Sequence, residues 1–227
     1  MGGRRHNLLL SLDNTGEHMD SKAPIFEKTY QDYLAQVNKL DLQDVAQKTA
    51  TQWDGKRVTV PLFGIPYRIS GDGITDPSGN EPVYSIKVVL CQYLLLHPPN
   101  HSEDGAWVSY KDFKDAAPLA NSFHVKSEMG IANNFEGRLN ALKEACSGIG
   151  GYDHSEELNY DLCIKFDALP KVPILLLFND VDDEFPAQCL LLFERRAEQY
   201  LDMECLAILG WLLAEKLGGF EEEKIRG

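Results

Sequence analysis

Apolar and polar residues alternate from Leu158 to Ala168: Leu158, Tyr160, Leu162, Ile164 and Phe166 fall between Asn159, Asp161, Cys163, Lys165 and Asp167. That period of two predicts a strand with one wet face. A tight turn at Leu169-Pro170-Lys171 leads into Val172–Phe178, V-P-I-L-L-L-F, apolar on both faces; Gln188–Glu194 is mostly so. A strand apolar on both faces is usually covered on both, so these three strands predict the sheet around which the helices pack.

Elsewhere the spacing is helical. Phe26, Tyr30, Tyr33, Leu34 and Val37 form one stripe, predicting a helix from about Pro24 to Asn38. Asp41 is placed to cap a short second helix carrying Leu42, Val45 and Ala46, closed by Trp53 and Gly55. Ile86, Val89, Leu90, Tyr93 and Leu94 predict a helix over Pro82–His97, stopped by Pro98-Pro99. Phe135, Leu139, Leu142 and Cys146 predict a helix over Ile131–Cys146, ended by glycines 148, 150 and 151. The last helix runs from about Asp202 to Leu217, is apolar nearly all round, and is expected to stop at Gly218-Gly219 and lie on the sheet. Between these, Lys56–Leu62 and Tyr67–Ser70 predict a hairpin whose Pro61 and Pro66 require an edge. Ala106–Ser109 is a short strand, Tyr110–Phe113 one helical turn, and Ala116–Ser127 an irregular crossing.

The pattern gives an α+β fold: a mostly antiparallel sheet of five or six strands packed with four or five helices. Residues 21–219 form a single domain, 1–20 an unstructured tail and 220–227 a frayed one. Residues 1–18 have no helical or strand period, whereas helix signals begin directly after Met19. The codons permitted for Gly16-Glu17 also allow a ribosome-binding site. The expectation is that Met19 is the initiator and that the intact mass of the protein from its host excludes residues 1–18.

Composition narrows the function classes. The 227 residues carry a formal charge of −13, which repels phosphate backbones and anionic headgroups, so nucleic acid and membrane surfaces are set aside as partners. Cys91, Cys146, Cys163, Cys189 and Cys205 contain no C-x-x-C pair and sit mostly in apolar surroundings; they read as buried structural thiols in a reducing cytoplasm. No signal-peptide core and no apolar run of membrane-spanning length is present in the sequence.

Chemistry-bearing motifs are few. There is no G-x-S-x-G, Walker loop or G-x-G-x-x-G. His97 and His101 are separated by two prolines, so they do not share a helix face. The turn-rich loop Gly71–Asn80 holds Asp72 and Asp76 without calcium-loop spacing. The connection 179–187, N-D-V-D-D-E-F-P-A, is long for a hairpin and clusters Asp180, Asp182, Asp183 and Glu184, which read as a solvated turn or as a carboxylate site. Arg195-Arg196 read as partners of their acidic neighbours.

The strings V-P-L-F-G-I-P-Y (60–67), W-V-S-Y-K-D-F (107–113), F-D-A-L-P-K-V-P (166–173) and D-D-E-F-P-A (182–187) occur in an order that resembles the prokaryotic family called domain of unknown function 3786, over roughly residues 24–217. That family has no established activity. The resemblance implies kinship with proteins of anaerobes, some of which carry an added iron–sulfur module like that of corrinoid iron–sulfur proteins; the cysteine-rich module is missing from this sequence. Asp183, Glu184, Phe185 and Pro186 match its most recognisable string.

Three functions follow as expectations. The first is a non-catalytic cytoplasmic module for a small molecule or cofactor of unknown identity. Its cleft would be walled by Tyr67, Trp107 and Phe185, with Asp183 and Glu184 at the mouth. The second is an interaction module for a redox or corrinoid methyl-transfer protein partner. The third is a metal-dependent hydrolase joining the acidic loop 180–184 to Asp72 or Asp76. No catalytic residue and no metal ligand is assigned.

Overall fold

The two prolines predicted to mark an edge face each other across a hairpin. A computed structural model describes residues 24–98, 105–154 and 158–226, with the side chains of 24, 25 and 221–226 left aside. The expectations for residues 1–20, for His101 and for most of the acidic link 153–157 lie outside the described residues. Gln52–Trp53 (β1), Val58–Leu62 (β2), Ile65–Ser70 (β3) and Gly73–Thr75 (β4) form an antiparallel sheet in that order. Pro61 lies opposite Pro66, beyond the reach of β1 and β4, so neither missing N–H costs a ladder bond. The turn is Phe63-Gly64, both at positive φ (47° and 75°), the primed geometry that suits a two-residue hairpin. Phe63 holds that strained conformation because its ring is buried and its N–H donates to Ala168 O (2.9 Å), tying the hairpin tip to the second sheet.

That second sheet has the order β5-β9-β8-β7-β6. Its strands are Trp107–Ser109 (β5), Tyr152–Asp153 (β6), Leu162–Leu169 (β7), Val172–Asn179 (β8) and Gln188–Glu194 (β9), all antiparallel. The predicted doubly apolar strand is its centre. Pro173 has no register partner; it sits at a bulge where β7 and β8 slip between Phe166 and Leu169. The strand expected to start at Leu158 starts at Leu162. Asn179 Oδ1 accepts from Asp161 N (3.2 Å) and Asp161 Oδ2 from Asp180 N (2.8 Å), so side chains replace the ladder there.

The fold is α+β, as the periods predict, but its strands divide between two sheets. The hairpin forms one of its own with β1 and β4, strands too short to show a period.

The helices are Pro24–Val37 (α1), Leu42–Lys48 (α2), Tyr84–Leu95 (α3), Ala120–Phe123 (α4), Met129–Phe135 (α5), Leu139–Gly148 (α6) and Met203–Arg226 (α7), with a π-helical turn at His124–Glu128 joining α4 to α5. Asp41 caps α2 by accepting from Gln43 N and Asp44 N. Asp202 caps α7 through Cys205 N (2.9 Å). Three expectations about the helices are corrected. The Ala116–Ser127 crossing is helical from Ala120, and the single helix over Ile131–Cys146 is broken at Gly137 (φ 69°), whose N–H donates to Asp180 Oδ1 (2.6 Å). Gly218 and Gly219 do not stop α7, which passes through them. Among the described residues no helix is long and apolar enough to cross a membrane.

Tyr93, fully buried on α3, joins the layers. Its hydroxyl donates to Thr49 O (2.7 Å) and accepts from Lys171 N (3.1 Å) at the β7–β8 turn. Tyr93→Phe leaves a carbonyl and an amide without their partner and is expected to cost about 1–3 kcal/mol. Thermal unfolding should show a fall of roughly 2–4 °C per kcal/mol; an unchanged midpoint would show that water replaces the hydroxyl.

Candidate functional site

The site begins where β5 stops. Arg195 N donates to Ala106 O (2.8 Å), and Val108 lies opposite Phe193. With the two-residue repeat of an antiparallel ladder, Tyr110 and Leu191 would be the next bonded pair. Tyr110 instead enters a 3₁₀ turn, Tyr110–Asp112. Its ring stacks on Phe123 (centroids 4.3 Å apart, planes 13° apart), and its hydroxyl donates to Met203 O (2.8 Å). The chain is thereby drawn off the sheet, and β9 has no strand neighbour on that side from Leu191 to Gln188 among the described residues.

Glu128 fills one place on this edge. The π turn sets its carboxylate against β9, where Oε1 accepts from Leu191 N (3.1 Å) and Oε2 lies 2.7 Å from His124 Nδ1. Glu128 is 6% exposed, whereas the His124 side chain is 55% exposed. A buried carboxylate is tolerable because both its oxygens are engaged. Beside it opens a cleft of about 690 Å³, walled by Tyr110, Phe123, Met129, Ala132, Tyr160 and Leu190. That volume suits a drug-sized ligand.

The polar groups here are held, not poised. Burial, with Asp202 and Glu204 adding to it, pushes the Tyr110 phenol up, so it stays a neutral donor. Burial and neighbouring Glu128 push the Cys189 thiol well up. A thiol held protonated is a poor nucleophile.

A second depression, about 550 Å³, continues the first and shares Tyr160 and Gln188 with it; Asp180, Asp182 and Phe185 line it. A third, polar cleft of about 650 Å³ lies by α1 and β3 and includes Arg57, Arg68 and Asp72.

The sequence-predicted site residues are scattered. Phe185 lines the second depression and is 58% exposed; Asp183 and Glu184 stand in solvent beside it. Tyr67 is buried on β3, in the other sheet. Trp107 is on β5, its ring edge-on to His154 (6.0 Å) with Lys165 Nζ 5.8 Å from its centroid. Tyr67 and Trp107 line none of the three clefts. The acidic loop is a built turn: Asp182 Oδ1 accepts from Glu184 N and Phe185 N, and Asp180 Oδ1 from Val181 N and Gly137 N. Asp76 caps its own turn through Asn80 N (2.8 Å), and among the described residues no three His, Cys, Asp or Glu side chains gather as metal ligands. The acidic loop and Asp72 or Asp76 therefore do not converge as the hydrolase reading requires. Arg196 pairs with Glu194, as its neighbourhood predicts.

Phe123, His124, Glu128 and Met129 were missed by the sequence pattern. The one local signal was the spacing of four between His124 and Glu128, a pair that faces only on a helix.

The model of the family described as Domain of unknown function (DUF3786) matches residues 41–216, a span holding both sheets and the cleft. The chain belongs to this family. No curated protein and no solved structure matches it. The DUF3786 match begins at the α2 cap and ends within α7, so it contains every residue of the cleft wall. The D-D-E-F-P-A string of the DUF3786 domain thus marks the turn that leads into the free edge of β9.

Proposed function

We propose that this DUF3786 domain is a non-catalytic binding module and that the cleft beside β9 is its ligand site. One observation carries the reading: an apolar cleft of about 690 Å³ opens on a strand edge that β5 leaves free. Its polar groups support binding over bond-breaking. The Tyr110 hydroxyl is committed to Met203, the Glu128 carboxylate to Leu191 and His124, and the Cys189 thiol is held protonated. The occupant is mainly apolar and carries a polar group able to meet the β9 backbone or the exposed His124.

Thermal-shift and calorimetric screening tests this, with anilinonaphthalene sulfonate, tetrapyrroles and corrinoids as probes. A ligand at about 100 times its Kd should stabilise the fold by about 2.7 kcal/mol. Ala132→Phe, which fills the cleft, and Met129→Lys, at its exposed rim, should each weaken binding at least about tenfold, or 1.4 kcal/mol. Hits that bind both variants as they bind wild type would place the site elsewhere.

A further inference from the structure

We propose that the natural occupant of this groove is an extended peptide segment of a partner protein, which pairs with the free edge of β9 and sets basic side chains against the acidic loop 180–184. The inference rests on the reading that the cleft beside β9 is the binding site.

The edge supplies backbone recognition. Leu191 N–H points away from β8, since Glu128 receives it, so the two-residue repeat also turns the Cys189 N–H and C=O outward. Cys189 lines the cleft, and no hydrogen bond joins its N–H to a described residue. An incoming strand collinear with β5 would exchange both bonds with Cys189, while Glu128 keeps Leu191. Strand addition of this kind needs an unprotected edge, which folded proteins ordinarily blunt.

The groove supplies side-chain recognition. The two depressions meet at Tyr160 and Gln188, making one path from Tyr110 to Val181. Large apolar side chains stand exposed along it: Met129 (41%), Tyr160 (38%), Val181 (44%) and Phe185 (58%). Such a row marks an interaction surface more than scattered exposure does. Alternate residues of an added strand would point toward Phe123 and Ala132, so the peptide is apolar at every second position.

Charge then fixes the partner's chemistry. Asp180, Asp182, Asp183 and Glu184 have no ion pair with any described residue, and no Lys or Arg occurs between Lys171 and Arg195. The hydrogen bonds that Asp180 and Asp182 accept come from backbone amides, which bring no positive charge to offset theirs. A basic residue arriving at the Gln188 end would be steered there and held.

The test is selection of displayed peptides of about ten residues on the full chain, counter-selected on Ala132→Phe. Enriched peptides should alternate apolar residues and carry Lys or Arg at one end. Methylating every second backbone nitrogen of a synthetic winner should weaken it at least about tenfold in one phase and little in the other, because only alternate amides face the strand. D183K/E184K should weaken the peptide at least about fivefold at about 50 mM salt and have little effect at about 500 mM, while the anionic dye still binds the cleft at both salt concentrations. Failure to enrich any peptide, or equal loss in both methylation phases, would overturn the proposal. If dye still binds wild type and not Ala132→Phe, the cleft reading survives that failure; if neither binds, both fall. A concentration-dependent dimer in sedimentation that Ala132→Phe abolishes would make a second copy the occupant and overturn the peptide.

Discussion

At about pH 10.5 the fold is expected to lose roughly 4 kcal/mol of stability relative to neutral pH, a large share of what holds an ordinary domain folded. Cys91 and Cys146 are the cause. Burial pushes both up to about 12 from 9.0, and pushes the buried Cys205 in the same direction. In the unfolded chain each thiol ionises near its ordinary value; in the fold each stays protonated. The stabilisation is therefore fully present below about pH 9 and is lost as pH rises toward the folded value. At about 1.36 kcal/mol per pH unit, Cys91 and Cys146 each contribute about 2 kcal/mol of destabilisation by about pH 10.5. Tyr30 and Tyr84, each pushed up to about 12 chiefly by burial, steepen the fall above about pH 10. Urea unfolding between about pH 7 and 11 reads this directly. A flat profile up to about pH 10.5 would mean that the thiols ionise within the folded protein.

Phe123→Ala is expected to cost about 3–5 kcal/mol and to remove the wall of the cleft together with the support of Tyr110. Phe123 is 1% exposed, stacks on Tyr110 and lies 6.0 Å from the Phe193 ring. It also rests on Gly210 of α7, where a methyl group would overlap its ring and come within 2.9 Å of Ser127 Oγ. The glycine in the middle of a core helix costs about 1 kcal/mol in helix propensity and is there to admit this ring. Loss of Phe123 should lower the melting temperature by roughly 6–20 °C and abolish dye binding. A small loss of stability with dye binding intact would show that Phe123 neither anchors the Tyr110 turn nor forms the cleft.

The parts of this fold that are legible in sequence are those specified locally. β8 announces itself by seven apolar residues between turn signals, α7 by its apolar face and the Asp202 cap, and α2 by Asp41. The strands β1, β4 and β6 hold two or three residues each, too few for a period, and exist because a neighbouring strand offers a ladder. Residues 124–128 have π-helical spacing, which breaks the helical stripe in the sequence and makes the segment look irregular. The site was the least legible part. A free strand edge is set by where β5 ends relative to β9, a relation between residues more than 80 positions apart, Ser109 and Leu192. Phe185 was legible as a spare aromatic and lies in the depression that continues the cleft. Tyr67 and Trp107 looked equally spare, but Tyr67 is core in the other sheet and Trp107 packs against His154 and Lys165.

The most direct test of the cleft as binding site is a crystal structure of the domain grown with the tightest ligand from the screen. The ligand is expected against Phe123, Met129 and Ala132, with a polar atom within hydrogen-bond distance of the Cys189 backbone. A ligand seated at Tyr67, at Trp107 or on the Asp183–Glu184 turn, with the cleft beside β9 open, would contradict it.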